Sequence, residues 1–169
     1  MGGRMALRFA APYPAWVRSR VLADRALDGQ RWSEDWQIRW KGMCDAAKSG
    51  QLAEAKRLWL EHPLFDRARA NPGAASLLSR MVGHFSGWHG NRDSSPVPAP
   101  SLAERLGQIR VPSLVMIGEH DLADFRAVVK TLEAGLPIVR LVVIENSGHR
   151  VNLEASRELN AAVLAFRTS

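Results

Sequence analysis

The sequence predicts an α/β protein with about three parallel strands, flanking helices and an inserted helical segment. Residues 101–169 alternate strand, helix, strand, helix, which is typical of a parallel sheet with right-handed crossovers. Residues 30–100 instead have helical apolar spacing and end in a proline-rich loop. The 169 residues, 46% of them apolar, suffice for one core. We therefore predict a core domain made of 1–29 and 101–169, with 30–100 as a helical lid and linker.

The elements before residue 100 are predicted from apolar spacing and from residues that start or stop helices. A helix over 2–11 is followed by Pro12 and Pro14, and a strand over 17–23 comes next. Three lid helices follow, whose start and stop residues are Ser33 and Gly50, Leu52 and Pro63, and then Asn71 with Pro72 at the third start. The tryptophan and leucine stripes of these helices are expected to be core.

The elements after residue 100 repeat a simpler rhythm. Ser101 and Glu104 predict a capping box for a short helix. The remaining predicted elements are a strand at 113–118, a helix at 124–134, a strand at 139–144 and a closing helix at 154–166. A single helix in the crossover predicts that the two strands are neighbours.

Charge and composition exclude several classes of protein. The formal net charge of +6 arises within the first 85 residues, yet the 19 arginines and 4 lysines are dispersed singly. A nucleic-acid partner is therefore not expected, because such sites show clustered basic stripes. No apolar run reaches about 18 residues, so no membrane span is expected. Cys44 stands alone, which excludes a disulfide framework and fits a reducing, cytoplasmic location.

Two polar loops follow the two C-terminal strands, at 118–121 and 146–149. The carboxyl ends of parallel strands meet at one edge of a sheet, so Asp121 and His149 are expected within hydrogen-bond reach. An Asp that orients a His general base forms two thirds of a nucleophilic triad.

Other interpretations of these residues stay open at this point. Asp121 could be a turn residue or a cap for the helix that begins near Asp124. Glu119, His120 and Asp121 could suggest a metal cluster, but adjacent residues of an extended segment point in opposite directions and no second cluster supplies ligands, so no metal is expected.

Histidines and aromatic residues of the lid have weaker signals. His62 reads as a helix-end histidine, and His84 and His89 as surface or packing residues. The candidates for lining an apolar substrate pocket are Trp36, Phe85 and Trp88.

The C-terminal part of the chain resembles the end of an α/β-hydrolase. The resemblance rests on 109–121 (IRVPSLVMIGEHD) and 147–154 (SGHRVNLE), and more weakly on the lid stretch 55–65 (AKRLWLEHPLF). It implies that Asp121 is the triad acid and His149 the base. Ser156 stands where a proline is common in that family, which affects a helix start and not the chemistry.

The resemblance extends to the first residue of the chain. Residues 1–7 (MGGRMAL), with 21–24 (VLAD) further on, resemble the segment that follows the G-x-S nucleophile turn. It implies that the nucleophile precedes Met1, that the Met1 backbone N–H marks one oxyanion donor, and that the strand at 17–23 has an open edge through which the chain could self-associate.

The function implied by the resemblance is that of a serine hydrolase acting on an ester, a lactone or a related small carbonyl compound, without a cofactor. The chain taken alone is expected to lack activity without the upstream nucleophile. The alternatives are a catalytically silent fragment that binds or oligomerises, and a relative with other chemistry, such as a dehalogenase, C–C hydrolase, lyase or perhydrolase.

Overall fold

The computed structural model describes residues 2–87 and 101–168, and these residues contain a three-stranded parallel sheet. Its strands are β1 (Arg20–Ala23), β2 (Ser113–Gly118) and β3 (Val139–Ile144), in the order β1-β2-β3. Every residue of β2 is buried, which agrees with its position between the other two strands. The predicted α/β class and the predicted neighbourhood of β2 and β3 are therefore confirmed.

Helices flank the sheet and form the segment between β1 and β2. The α-helices are α1 (Gly2–Ala10), α2 (Glu34–Lys48), α3 (Leu52–Leu60), α4 (Asp66–Ala70), α5 (Pro72–His84), α6 (Ala123–Gly135), α7 (Val151–Glu154) and α8 (Ser156–Arg167). Short 3₁₀ helices occupy Pro14–Trp16, Pro63–Phe65 and Ala103–Gln108. None of the helices in the described residues is long and apolar enough to cross a membrane.

Two of the predicted helix starts have the expected caps. The Ser33 hydroxyl accepts the N–H of Trp36 at 3.2 Å, and the Asn71 side-chain oxygen accepts the N–H of Ala74 at 3.1 Å. Each cap satisfies a backbone donor that the first turn of a helix leaves without a partner. Pro72 follows Asn71 at a position where its missing N–H costs nothing.

Three local predictions are wrong in detail. Ser101 and Glu104 form no capping box, because 103–108 is a 3₁₀ helix without a side-chain cap. The first strand begins at Arg20, since the 3₁₀ turn at Pro14–Trp16 extends to Val17 through a backbone hydrogen bond. The closing helix is divided at Ala155, whose φ of −143° and ψ of 53° are not helical.

The helices between β1 and β2 are tied to the sheet by packing and by one polar contact. The Asp124 carboxylate, at the start of α6, accepts the Ser33 backbone N–H at 2.8 Å and its hydroxyl at 2.7 Å. The buried core includes residues of both parts, among them Leu22, Val115, Val128, Leu132, Phe65, Ala68 and Leu78. The division at residues 30 and 100 stays a prediction, and its proline-rich linker lies outside the described residues.

Two arginines are buried, one at the first residue of β1 and the other two residues beyond its end. Arg20 is 5% exposed and donates through Nε to the Ser113 hydroxyl at 2.8 Å, while Arg25 is 4% exposed and donates to the Ala26 carbonyl at 2.8 Å. Other nitrogens of both guanidinium groups are buried without a partner among the described residues. Burial lowers the pKa of Arg25 to about 10. A carboxylate partner would offset the free-energy cost of burying these charges, but no carboxylate among the described residues forms a hydrogen bond with either guanidinium.

Candidate active site

The loops that follow β2 and β3 lie against each other at the carboxyl edge of the sheet. The N–H of His120 donates to the carbonyl of Ser147 at 2.8 Å, which ties the first loop to the second. Gly118 ends β2, and a Cβ at this position would overlap the carbonyl oxygens of Ser147 and Gly148. A glycine at 118 therefore allows the two loops to approach closely.

Asp121 and His149 are joined by a hydrogen bond at this edge. Nδ1 of His149 lies 3.0 Å from Oδ2 and 3.1 Å from Oδ1 of Asp121. The Asp121 side chain is fully buried, and that of His149 is 10% exposed. A buried carboxylate next to Nδ1 favours the imidazole tautomer that carries its proton on Nδ1. In that tautomer, Nε2 can accept a proton. Among the described residues, Nε2 of His149 has no hydrogen-bond partner.

Backbone donors and an arginine hold the loop of Asp121 in place. Oδ1 of Asp121 also accepts the N–H of Leu122 at 2.7 Å, so Asp121 is both a turn residue and the partner of His149. Nε of Arg126 donates to the Asp121 carbonyl at 3.0 Å, and its Nη2 donates to the Glu119 carbonyl. Glu119 and His120 themselves have side chains that are nearly half exposed.

Glu154 holds the loop of His149. One carboxylate oxygen accepts the N–H of Arg150 at 3.0 Å, and the other accepts the N–H of Gly148. The two amides flank His149 in the chain, so a single carboxylate fixes the backbone on both sides of the imidazole. Charge-assisted hydrogen bonds of this kind are stronger than neutral ones. Glu154 belongs to the quoted 147–154 motif, but its role was not predicted.

Asp24 is a second site residue that the sequence analysis missed. It follows β1 with a φ of +46°, and its Oδ2 accepts the N–H of Val151 at 3.0 Å. One side-chain ligand atom from each of Asp24, Asp121 and His149 lies within 4.8 Å of the others. Burial and the nearby charge of Asp121 raise the pKa of Asp24 to about 8, against the opposing effects of the Val151 hydrogen bond and Arg150. The only sequence signal is an Asp directly after a strand.

The chemistry of this trio favours proton transfer. Two carboxyls and an imidazole are also residue types that metal ions bind. Here, however, Nδ1 of His149 faces Asp121 at hydrogen-bond distance, which is the contact that orients a histidine for proton transfer through Nε2. We therefore interpret the arrangement as an acid–base site.

A row of aromatic rings connects the imidazole of His149 to helix α2. The rings of Phe125 and His149 have centroids 4.1 Å apart, and Trp32 and Trp36 each contact Phe125 at 5.4 Å. Trp36 also contacts His62, whose ring centroid is 5.0 Å away. Of the predicted pocket residues, Trp36 thus reaches the site through one intervening ring.

The other predicted site residues lie elsewhere. Phe85 lines an apolar cavity of about 250 Å³ between α2, α3 and α5, together with Trp40 and Trp59, and His149 does not line that cavity. Met1, Trp88 and His89 lie outside the described residues. His62 was predicted to be a helix-end histidine; it lies two residues after α3 and caps the start of the 3₁₀ helix Pro63–Phe65, since its Nδ1 accepts the N–H of Leu64 at 3.0 Å. His84 is exposed, as expected for a surface histidine.

Comparisons with known proteins find a protein that is similar to this chain in sequence and several solved structures that are similar to it in fold. A Bacillus subtilis (strain 168) protein described as a 2-succinyl-6-hydroxy-2,4-cyclohexadiene-1-carboxylate synthase is 28% identical over 178 residues, which cover all of this chain and 64% of that protein. No family model matches the chain.

Solved structures with a similar fold share a lower sequence identity with this chain. MenH from S. aureus superposes with a TM-score of 0.80 at 22% identity, over 98% of this chain and 64% of that one. The carboxylesterase CesB from Bacillus subtilis superposes with a TM-score of 0.74 at 20% identity, over 98% of this chain and 56% of that one. The chain therefore spans under two thirds of the length of these proteins.

Proposed function

Because the chain has the α/β-hydrolase fold, we propose that Asp121 and His149 are the acid and base of a nucleophilic triad that acts on a small ester, lactone or related carbonyl compound. The observation that carries the proposal is the hydrogen bond between the buried Asp121 carboxylate and Nδ1 of His149. By the resemblance, the nucleophile is the residue before Met1.

In the proposed reaction His149 transfers a proton twice. Nε2 first takes the proton of the nucleophile as it attacks the substrate carbonyl, and then returns a proton to the leaving group. Asp121 keeps the imidazole in the required tautomer and stabilises the imidazolium that forms. The row of rings with Phe125 and Trp36 supplies an apolar side to the site, which suits a substrate with an apolar part.

The experiment is a comparison of two polypeptides, the 169-residue chain and the same chain preceded by the residues encoded in frame before Met1. Hydrolysis of a p-nitrophenyl ester and labelling by a fluorophosphonate report an activated serine. We expect both in the longer polypeptide, with G-x-S directly before Met1, and their loss on His149→Ala. An upstream sequence without G-x-S would contradict the proposal, and G-x-D in its place would indicate the dehalogenase alternative.

A second candidate reaction follows from the Bacillus subtilis relative, whose description names a synthase and not a hydrolase. The same proton transfer by His149 would serve such a reaction. Formation of 2-succinyl-6-hydroxy-2,4-cyclohexadiene-1-carboxylate by the longer polypeptide, without ester hydrolysis, would favour it.

A third candidate is a binding module that self-associates through β1. In the described residues β1 pairs with β2 alone, and Val21 on it is 38% exposed. Such an edge can pair with another strand. A stable dimer of the 169-residue chain in sedimentation, together with no ester hydrolysis by either polypeptide, would favour this candidate.

A further inference from the structure

Asp24 has a buried carboxyl group that the proposed proton transfer does not use. Its Oδ2 is held by the N–H of Val151, and its Oδ1 is buried without a hydrogen-bond partner in the described residues. It lies within 4.8 Å of ligand atoms of both Asp121 and His149. A carboxyl so close to a catalytic pair affects that pair whichever protonation state it adopts.

The backbone of Asp24 supports a specific placement. A φ of +46° is uncommon outside glycine, although aspartate tolerates it better than most residues. The turn brings a residue at the end of β1 to the first residue of α7, which follows His149 by two positions. Such conformations persist where the surrounding structure requires them, and they concentrate at functional sites.

On balance, the surroundings of Asp24 oppose its ionisation. Asp121 and Glu154 add negative charge, Arg150 adds positive charge, and His149 lies beside the carboxyl. Burial has the largest effect, and together these effects raise the pKa of Asp24 to about 8. Near neutral pH, Asp24 is therefore mostly protonated, so Asp121 alone supplies the negative charge next to the imidazole.

We propose that Asp24 is a positioning residue for the Asp121–His149 pair, acting through the Val151 amide and through the charge state of its carboxyl group. The catalytic meaning of this inference rests on the proposed function, but the contact itself does not. When Asp24 ionises, a second negative charge lies within 4.8 Å of the imidazole and of the Asp121 carboxylate, and it changes the electrostatic surroundings of both groups.

The test is an NMR titration of the 169-residue chain, with labelled histidine and backbone amides. In the wild type, the ring signals of His149 and the amide signal of Val151 are expected to show an inflection near pH 8, in addition to any from the imidazole itself. In Asp24→Asn, which keeps an amide oxygen for Val151 but cannot ionise, that inflection is lost. The matched control Asp28→Asn changes an acid of the same segment that pairs with Arg8, and it keeps the inflection.

Two results would overturn the inference. One is a wild-type titration in which neither signal changes near pH 8. The other is an inflection that persists in Asp24→Asn. If that variant fails to fold, the wild-type titration still decides. Since the readout needs no turnover, an inflection without ester hydrolysis would count against the proposed function alone, and hydrolysis without an inflection would count against the inference alone.

Discussion

Asp24 Oδ2 accepts the backbone N–H of Val151 at 3.0 Å and so joins residues that are 127 positions apart. The contact connects the end of β1 with the start of α7, which follows the loop of His149 in the sequence. It places a third polar side chain beside Asp121 and His149 in a region that burial has largely removed from water. The stability of the fold and the chemistry of the site are therefore linked at this residue.

Asp24→Asn is expected to stabilise the fold at neutral pH. The unfolded chain ionises this carboxyl near its ordinary pKa of 3.8, while the folded chain keeps the proton until about pH 8. Wild-type stability therefore falls across this window, by roughly 1 kcal/mol per pH unit, and the asparagine variant escapes the loss. Urea unfolding at pH 5 and pH 7.5 measures the difference, which should grow with pH. A difference that is constant between the two pH values would contradict the prediction.

Glu154→Ala is expected to loosen the loop of His149. The carboxylate binds the amides of Gly148 and Arg150, and its removal leaves both without their partner. We expect a loss of about 1–3 kcal/mol in unfolding free energy, together with broadened His149 signals in NMR spectra. Glu158→Ala, on the exposed side of α8, is the matched control and should change neither. Equal behaviour of the two variants would argue against this role.

Gly118→Ala is expected to separate the two site loops. The added methyl group would overlap backbone carbonyls of Ser147 and Gly148, which cannot move aside as a flexible side chain does. We expect a loss of roughly 2–4 kcal/mol and weakening of the His120–Ser147 hydrogen bond, seen as faster amide exchange at His120. Gly83→Ala, in α5 with open space around it, should be neutral or slightly stabilising. A Gly118→Ala variant as stable as Gly83→Ala would refute the close approach.

Arg25→Met is expected to preserve or raise stability. Burial lowers the pKa of this arginine to about 10, and two of its nitrogens are buried without a partner in the described part of the chain. A methionine of similar length removes this cost, so a gain of up to about 3 kcal/mol in thermal or urea unfolding is expected. Arg8→Met removes an exposed ion pair with Asp28 and should change stability by under about 1 kcal/mol. A clear loss in Arg25→Met would mean that the guanidinium has a stabilising partner.

The sequence allowed the sheet and the central contact of the site to be predicted, because both depend on local patterns. The apolar runs of β2 and β3 and the single helix between them define two parallel neighbours, and that order brings the loops of Asp121 and His149 together. Ser33 and Asn71 cap helices through residues three positions away, so their roles can also be read locally.

Features that depend on distant contacts could not be predicted. Asp24 reads as an ordinary strand-end aspartate, and only the folded chain buries it and brings Val151 to it. Ser101 has the local signature of a capping box, yet its segment forms a 3₁₀ helix. The polar role of Glu154 depends on the turn that α7 makes back towards Gly148. In each case tertiary structure determines the outcome.

The assignment of Asp121 and His149 as acid and base is tested most directly by the rate of p-nitrophenyl ester hydrolysis. The polypeptide is the one that includes the residues encoded before Met1. The rate is compared among wild type, Asp121→Asn, His149→Ala and Asp124→Asn. Asp124 lies three residues after Asp121, at the start of α6, and binds Ser33, so it is the matched control. Loss of the base or its acid is expected to lower kcat by about 10³-fold or more, while Asp124→Asn stays within about tenfold. Wild-type hydrolysis that survives His149→Ala within tenfold would contradict the assignment of the Asp121–His149 pair as the catalytic acid and base.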